Sequence, residues 1–300
     1  MRPAVPGAPR IRFIRQTHPK ELWMPSSLYS DCKTLEEAFV AQWSNFGQAP
    51  GGTYHEDEDL TWTEAPVAHL PYNAVIRTQF TGDADDRING MLRHFKSRGV
   101  QFLWMVHPLS RPADLEKRLV EHGLQLAGRE TGMCLELDGW HRSDDHPTGP
   151  IACLEAKDEE TLKDFEDLIV EYWGLPQETH AYVDGFTRWA FRRGDRGVWL
   201  LAYQNSKAVA KAYLSIQGPD DTASIWGVYV KPEARGYGIA TTLTALALKR
   251  AAELGKSRVV LAASQMARNL YRRIGFKETC VLLVYASAAL PVPLQGLQPL

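Results

Sequence analysis

The sequence predicts an α/β (α+β) chain made of two mixed β-sheet domains in tandem, each with flanking helices. Three observations predict this class. Helical and strand-like segments alternate along the chain. The order helix, glycine, strand, helix, glycine, strand occurs once in each half. A polar stretch rich in proline and glycine, GWHRSDDHPTGP at residues 139–150, separates the halves and is typical of a linker.

The second half alternates helices and strands from residue 151 to about residue 288. DEETLKDFEDLIVEYWGL carries apolar residues at helical spacing, and Asn205-Ser206 joins two β-rich runs as a hairpin turn. A glycine-rich loop then leads from a strand into a helix that ends at Gly255. The predicted strands are GVWLLAYQ, KAVAKAYLSIQ, TASIWGVYV, SRVVLAAS and FKETCVLLVYA, and the further helices are VDGFTRWAFRRG, TTLTALALKRAAEL and QMARNLYRRI.

The first half repeats the end of this pattern. A helix ending at Gly99 precedes the strand VQFLWMVH, and a helix ending at Gly123 precedes the strand LQLAGRETGMCLEL. One strand earlier, YNAVIRTQF takes the place of IWGVYV. This recurrence favours a tandem duplication over chance repetition of common α/β signals. The predicted parts are an extended arm at 1–30, domains at 31–145 and 151–288, and a flexible tail at 289–300.

The bulk composition describes an ordinary globular chain. Its 300 residues are enough for two cores, with 44% hydrophobic and 23% charged residues. The net charge of −2 gives no global basic field that would attract nucleic acid. The four cysteines form no CxxC pair, which argues against a cysteine metal site. The chain shows no apolar run long enough to span a bilayer, so we expect a cytoplasmic protein without a membrane partner.

The loop KPEARGYGIATTL has three interpretations. A strand, a glycine-rich turn and a helix together form a site for anions, because the first helical amides lack partners. A Walker A loop needs GxxxxGK[ST], which is absent. A dinucleotide fingerprint needs a third glycine where Thr241 stands, and it would come unusually late in the fold. The third pattern is RxxGxA, formed by Arg235, Gly238 and Ala240.

This loop resembles the coenzyme A pyrophosphate loop of the GNAT superfamily of N-acetyltransferases. SQMARNLYRRIGF is similar to the family's next helix, with Ser264 where asparagine is commoner. The resemblance covers residues 151–288. Together with the repeated order of elements, it implies two GNAT-like domains, the first of them degenerate. The matching residues of the helix are Ala267, Leu270, Tyr271, Gly275 and Phe276.

The resemblance implies acetyl-CoA as cosubstrate and no metal. Strand backbone would hold the pantetheine arm after a bulge-like splay, and loop amides would hold the pyrophosphate. The side chain of Arg235 either pairs with phosphate or braces the loop. The implied cofactor residues are Val228, Tyr229, Val230, Arg235, Gly236, Tyr237, Gly238, Ile239, Ala240, Thr241, Ser264, Ala267, Asn269 and Tyr271.

The implied reaction is direct attack of a primary amine on the thioester. The amide of Val228 or Val230 would stabilise the oxyanion, and Tyr271 would protonate the leaving thiolate. The alternative for Tyr271 is a packing role only. The strand before the loop has no carboxylate, so the base would be a water chain, His180 or a carboxylate from the other half. Trp173, His180 and Trp226 are the candidate substrate residues.

The first half differs from the second at the position of the phenol and at the position of the loop. Aligning Gly123 with Gly275 puts Leu119 where Tyr271 stands, and TGDADD replaces the basic loop. Its acidic residues would repel a pyrophosphate, so we expect this half to complete the core or to wall the substrate cleft. The predicted protein is a monomer or homodimer that acetylates a small-molecule amine. The alternatives are a non-catalytic coenzyme A-binding module and an acyltransferase for protein lysine or a carrier-bound group.

Overall fold

The computed structural model describes residues 25–141 and 150–287. The predicted tail and most of the predicted linker lie outside these residues. The arm predicted for residues 1–30 is partly wrong, because residues 26–30 already belong to a helix.

The elements in chain order are α1 (Ser26–Gln48), β1 (Thr53–Glu56), β2 (Leu60–Glu64), β3 (Ala74–Thr78), α2 (Ala84–Ser97), β4 (Leu103–Val106), α3 (Leu115–Glu121), β5 (Gln125–Glu136), β6 (Ile151–Glu155), α4 (Glu159–Trp173), α5 (Gln177–Arg193), β7 (Gly197–Gln204), β8 (Lys207–Ser215), β9 (Thr222–Val230), α6 (Ile239–Glu253), β10 (Arg258–Ala263), α7 (Gln265–Ile274) and β11 (Lys277–Ala286).

The strands form one continuous mixed sheet. It has 11 strands in the order β1-β2-β3-β4-β11-β5-β10-β9-β8-β7-β6. The last strand of the second half, β11, pairs antiparallel with β4 of the first half. The last strand of the first half, β5, pairs antiparallel with β10 of the second half. The two halves have therefore exchanged their closing strands, which the linear sequence pattern did not reveal.

The exchanged strands carry core residues into the opposite half. Met133 and Leu135 on β5 are buried in the core of the second half, beneath α6. Leu283 and Tyr285 on β11 are buried in the core of the first half, beside α2 and α3. Burial of apolar surface is the main stabilising contribution to folding. Each core is consequently incomplete without a strand from the other half.

The helix α1 joins the halves on one face of the sheet. Phe39 packs edge-on against Trp226 of β9, with ring centroids 4.6 Å apart. Asn45 donates to the side chain of Gln217 at 2.8 Å and accepts from the guanidinium of Arg196. Since Arg196 is buried, these contacts attach α1 firmly to the second half.

The expected repetition between the halves is present. Parallel strand pairs occur at β3–β4 and at β9–β10. A loop and a helix follow the first strand of each pair, α2 after β3 and α6 after β9. Within residues 25–141 and 150–287, no helix is both long enough and apolar enough to cross a membrane.

Candidate active site

A cleft opens where β9 and β10 separate. These parallel strands pair only from Thr222 to Ser224, against Arg258 to Val260. Beyond this point an irregularity in the β8–β9 pairing marks a bulge. Gly227 lies in the bulge with φ of +56°, a left-handed conformation that favours glycine. The sequence-based expectation of a splayed strand agrees with this geometry.

A buried lysine supports the bulge. The Nζ atom of Lys211, on the neighbouring strand β8, donates to the carbonyl of Gly227 at 2.8 Å. The rings of Tyr172 and Phe165 lie 4.8 and 5.3 Å from this nitrogen. These rings favour the ammonium form, but burial outweighs them and lowers the pKa of Lys211 to about 7.

The bulge leaves backbone amides facing the cleft. The amide of Lys231 donates to Val209 on β8, so that residue directs its N–H away from the cleft. Because amide directions alternate along a regularly paired strand, Val230 directs its N–H away from β8 and towards the cleft. Gly227 and Val228 lie in the bulge, where neither has a register partner on β8. A ligand in the cleft can therefore pair with β9 as an additional strand would.

The loop after β9 presents a helix N-terminus without a cap. Gly236 and Gly238 have φ values of +87° and +76°, which turn the chain sharply into α6. No side chain caps α6, and its first turn contains no acidic residue. Arg235 donates through Nε to the carbonyl of Val230 at 3.1 Å, so its side chain braces the loop.

Strand, loop and helix enclose a cavity of about 490 Å³. Its wall contains residues 227–230 of the bulged strand and residues 234–236 and 238–241 of the loop and α6. From β10 and α7 come Ser264, Ala267 and Tyr271. Glu130 and Tyr172 complete the wall beside Tyr271 and were not identified from the sequence. Most of the predicted cofactor residues thus share one cavity.

Three titratable groups meet at one end of the cavity. Tyr271 is only 6% exposed. Burial and the nearby charge of Glu130 hold the pKa of Tyr271 above the usual range for tyrosine. The pKa of Tyr172 is also raised, by burial and by Glu130 and Tyr271. Burial raises the pKa of Glu130 to about 8. The site therefore holds two neutral phenols beside a carboxyl that titrates close to neutral pH.

Several predicted residues lie outside the cavity wall. Trp173 packs in the cluster of Val183 and Leu175 between α4, α5 and the first half. His180 lies within 3.3 Å of the Leu175 carbonyl, and Trp226 packs against α1. Tyr237 is 43% exposed on the loop. Asn269 accepts a long hydrogen bond from Arg272 on the surface of α7.

Residues 162–276 match the model of the acetyltransferase (GNAT) family. This half of the chain contains a GNAT domain. No protein of curated function matches the sequence significantly. Because the family is one of acetyltransferases, acyl transfer is the general activity that this domain supports.

Solved structures share the fold over about three quarters or more of the chain. A GCN5-related N-acetyltransferase from Kribbella flavida is 15% identical, with a TM-score of 0.63 over 84% of this chain and 95% of that one. A GCN5-related N-acetyltransferase from Sphaerobacter thermophilus is 17% identical, with a TM-score of 0.57 over 76% and 80%. A tandem GNAT protein from the clavulanic acid biosynthesis pathway is 13% identical, with a TM-score of 0.57 over 88% and 96%.

The first half has a loop at the position of the GNAT loop, and carboxylates of this half accept the hydrogen bonds that its amides donate. The carboxylate of Asp83 accepts from the amides of Asp85 and Asp86 at 3.0 and 3.2 Å, at the start of α2. The carboxylate of Asp59 accepts from the amide of Thr81 at 3.0 Å. Asp85 and Asp86 are the second and third residues of α2, as Ala240 and Thr241 are of α6, where no side chain caps the helix. The anion-binding position of the first half is therefore already occupied.

A buried side chain also fills the space between β3 and β4, the strand pair of the first half. Trp104 on β4 is fully buried and donates through its indole nitrogen to Thr78 of β3 at 3.0 Å. Leu119, at the position that corresponds to Tyr271, is fully buried. A packed indole and an apolar side chain thus stand where the GNAT domain has a cleft and a phenol.

Proposed function

We propose that the protein is an acetyl-CoA-dependent N-acetyltransferase that acts on a primary amine of a small molecule, with one acetyl-CoA site in the GNAT domain. The observation that carries this proposal is the cavity itself. One continuous wall contains the unpaired amides of β9, the uncapped start of α6 and the phenol of Tyr271. These features suit, in that order, the pantetheine arm, the pyrophosphate and the thioester sulfur.

The pyrophosphate interaction rests on the start of α6. Ile239, Ala240 and Thr241 have no partner for their amides within the helix. The helix dipole adds a partial positive charge at the same position. Arg235 and Arg273, which both line the cavity, add full positive charges. A polyanion bound here therefore gains hydrogen bonds and favourable charge interactions together.

The thioester position follows from the strand. An acyl-pantetheine arm paired with residues 228–230 brings its carbonyl near the bulge at Gly227. There the amide of Val228 is the candidate donor to the oxyanion of the tetrahedral intermediate. A fixed donor of this kind stabilises the charge that develops in the transition state.

Tyr271 is the proposed general acid. The phenol is buried and its pKa is raised, so before the reaction it carries the proton that a general acid must give. Tyr271 and Val228 both line this cavity, so both groups can act on one reacting centre. Transfer of its proton to sulfur completes the breaking of the carbon–sulfur bond.

The first half is proposed to shape the acceptor side without binding coenzyme A. Asp83 and Trp104 fill the positions that an anion and a pantetheine arm would need. Residues of the first half, among them Tyr72 and Val67, instead pack against α4 and α5 of the GNAT domain. An altered copy that walls the cleft is consistent with the frequent placement of ligand sites between domains.

The test combines calorimetry with a thiol-release assay. We expect one acetyl-CoA per chain, and release of the coenzyme A thiol with at least one member of a panel of polyamines, amino acids, aminosugars and other primary amines. Thr241→Asp places a carboxylate at the start of α6 and should weaken acetyl-CoA binding about tenfold or more. The control Ala252→Asp adds the same charge at the exposed far end of α6 and should bind normally.

Two results would contradict the proposal. Two acetyl-CoA molecules per chain would show that the first half retains a working site. Tight acetyl-CoA binding without thiol release from any amine would favour a non-catalytic binding module or a macromolecular acceptor.

A further inference from the structure

We propose that Glu130, supplied by the first half on the exchanged strand β5, is the general base that deprotonates the acceptor amine in the GNAT domain. This inference rests on the proposed function. It assigns a catalytic residue to the half of the chain that has no acetyl-CoA site of its own. The active site is then formed by residues of both halves.

The strand exchange is what brings Glu130 to the cavity. On one side of β5, Glu130 pairs with Leu282 of β11. On the other side, pairing with β10 begins only at the next residue, where Thr131 faces Ala263. β10 ends there and the chain turns into α7. Glu130 therefore lines the cavity together with Tyr271 of α7.

The carboxyl of Glu130 is available to a ligand in the cavity. Among the described residues it makes no hydrogen bond or ion pair, and it is half-buried with its accessible surface towards the cavity. Its titratable neighbours are Tyr172 from α4 and Tyr271 from α7, and the cations on the cavity wall are Arg235 and Arg273. A half-buried carboxyl without a partner is costly to keep unless a ligand completes it.

Other candidate bases are less suitable. Glu171 on α4 is paired with Lys231 at 2.9 Å and accepts from Tyr229 at 2.7 Å. These contacts stabilise its charged form and lower its pKa, which makes it a weak base. His180 lies outside the cavity wall. Glu130 is the one carboxyl among the described residues that lines the cavity.

The proposed step balances as follows. The ammonium ion of the substrate gives one proton to the Glu130 carboxylate, and the freed nitrogen lone pair forms a bond to the thioester carbon. Collapse of the intermediate breaks the carbon–sulfur bond while the phenol of Tyr271 gives its proton to the sulfur. The new amide nitrogen loses its extra proton to the Tyr271 phenolate, and Glu130 later releases its proton to solvent.

This arrangement also defines the acceptor class. A carboxylate in a poorly solvated site attracts a cationic amine, since the ion pair replaces part of the lost hydration. The same carboxyl then needs to remove a proton from that amine, and a raised pKa makes it a better base. We therefore expect aliphatic primary amines, which are protonated at neutral pH, to depend on Glu130 most strongly.

The test uses the full chain with acetyl-CoA and two acceptors from the thiol-release panel, one aliphatic amine and one weakly basic aromatic amine. Glu130→Gln should lower kcat at pH 7 by roughly 10²-fold or more with the aliphatic amine. The loss should shrink at high pH, and it should be much smaller with the aromatic amine, because both conditions provide a nucleophile that is already deprotonated. Glu136→Gln, at the exposed end of the same strand, is the matched control and should retain activity.

The outcomes separate the two proposals. If Glu130→Gln keeps its activity, or loses the same factor with both amines and at every pH, Glu130 is not the base. If the wild-type chain itself fails to bind acetyl-CoA or to release thiol with any amine, the proposed function is wrong and the role of Glu130 is refuted with it. Unchanged acetyl-CoA affinity of the variant, measured by calorimetry, shows that a loss of turnover does not reflect a damaged cofactor site.

Discussion

The carboxyl of Glu130 and the phenol of Tyr271 line the same cavity, although one belongs to the first half of the chain and the other to the second. The charge of Glu130 contributes to the raised pKa of Tyr271. The closer the carboxyl comes to its ionised form, the more firmly the phenol holds its proton. An ionised base beside a protonated acid is the state that an amine and a thioester require.

Replacement of Tyr271 by phenylalanine tests the acid. Tyr271→Phe keeps the packing of the ring against Phe276, whose centroid is 5.7 Å away, but removes the proton. We expect kcat to fall by roughly 10²-fold or more while the acetyl-CoA affinity changes little. Steady-state kinetics and calorimetry measure the two quantities.

The control for that variant is Tyr54→Phe, which removes a phenol on β1, far from the GNAT domain. Its kinetics should match those of the wild type. Unchanged kcat in Tyr271→Phe would leave Tyr271 with a packing role only.

The stability of the unliganded chain should report on the titration of Glu130. Its pKa is about 8 in the folded chain against 4.5 for an ordinary glutamate. Between these values the folded chain holds a proton that the unfolded chain has lost, so the free energy of unfolding falls as the pH rises through this window. Glu130→Gln should therefore match the wild type near pH 4.5 and exceed it above pH 8, by at least about 1 kcal/mol.

Chemical denaturation at a series of pH values measures this difference. Glu136→Gln again serves as the control and should show no such growth with pH. A constant difference between Glu130→Gln and the wild type at all pH values would mean that Glu130 titrates normally. The expected gain of stability in a variant that loses activity is the trade-off usual for functional groups held in unfavourable surroundings.

Lys211 should show the opposite dependence on pH. Its pKa is about 7 in the folded chain against an ordinary 10.5. Between these values the unfolded chain holds the extra proton, so the wild type should gain stability as the pH rises from 7 to 10.5. Lys211→Met should remove this gain. Loss of the hydrogen bond to Gly227 should also loosen the bulge and raise the KM for acetyl-CoA up to about tenfold.

Lys207→Met is the matched control, since Lys207 is exposed on the same strand. It should leave both the pH profile of stability and the KM unchanged. If Lys211→Met keeps the wild-type KM, the bulge does not depend on its lysine.

The exchanged strands predict that the halves cannot be separated. A piece starting at residue 150 lacks β5, so β10 has an exposed edge and the core of the GNAT domain lacks Met133 and Leu135. Exposed strand edges promote aggregation. We expect each piece to be insoluble or poorly folded when expressed alone, and the two pieces to form a one-to-one complex when expressed together.

Cleavage after folding provides the control. A protease site introduced within residues 142–149 and cut in the purified protein should leave both pieces associated, as size-exclusion chromatography would show. A soluble piece covering residues 150–300 that unfolds cooperatively and binds acetyl-CoA would contradict the prediction.

The local features that line the cavity could be identified from the sequence. The glycines of the loop, the phenol of Tyr271 and the repeated order of elements all depend on short segments, whose patterns are visible in one dimension. The position of Glu130 depends on which strand lies beside β10, and that choice is made by pairing between residues far apart in the chain. The sequence suggested a carboxylate from the other half among three possibilities, but no pattern distinguished Glu130 from the other acidic residues.

Two further differences have physical causes. The helix α1 begins directly after Pro25, a start signal that the boundary predicted at residue 30 did not use, and its burial comes from contacts with both halves. Trp173 and Trp226 have the size expected of substrate-contacting residues, and both lie half-buried against apolar neighbours outside the cavity wall, so their contact with substrate stays a prediction. Large aromatic side chains are more often buried than placed in a site.

The exchange of closing strands gives the molecule the architecture of a domain-swapped dimer fused into a single polypeptide. In a true homodimer, both copies of a strand must serve both sites alike, because one gene encodes them. Fusion removes that constraint. One half can then differ from the other at its phosphate loop while the other keeps the residues of the cofactor cavity, and both are always made together in one chain.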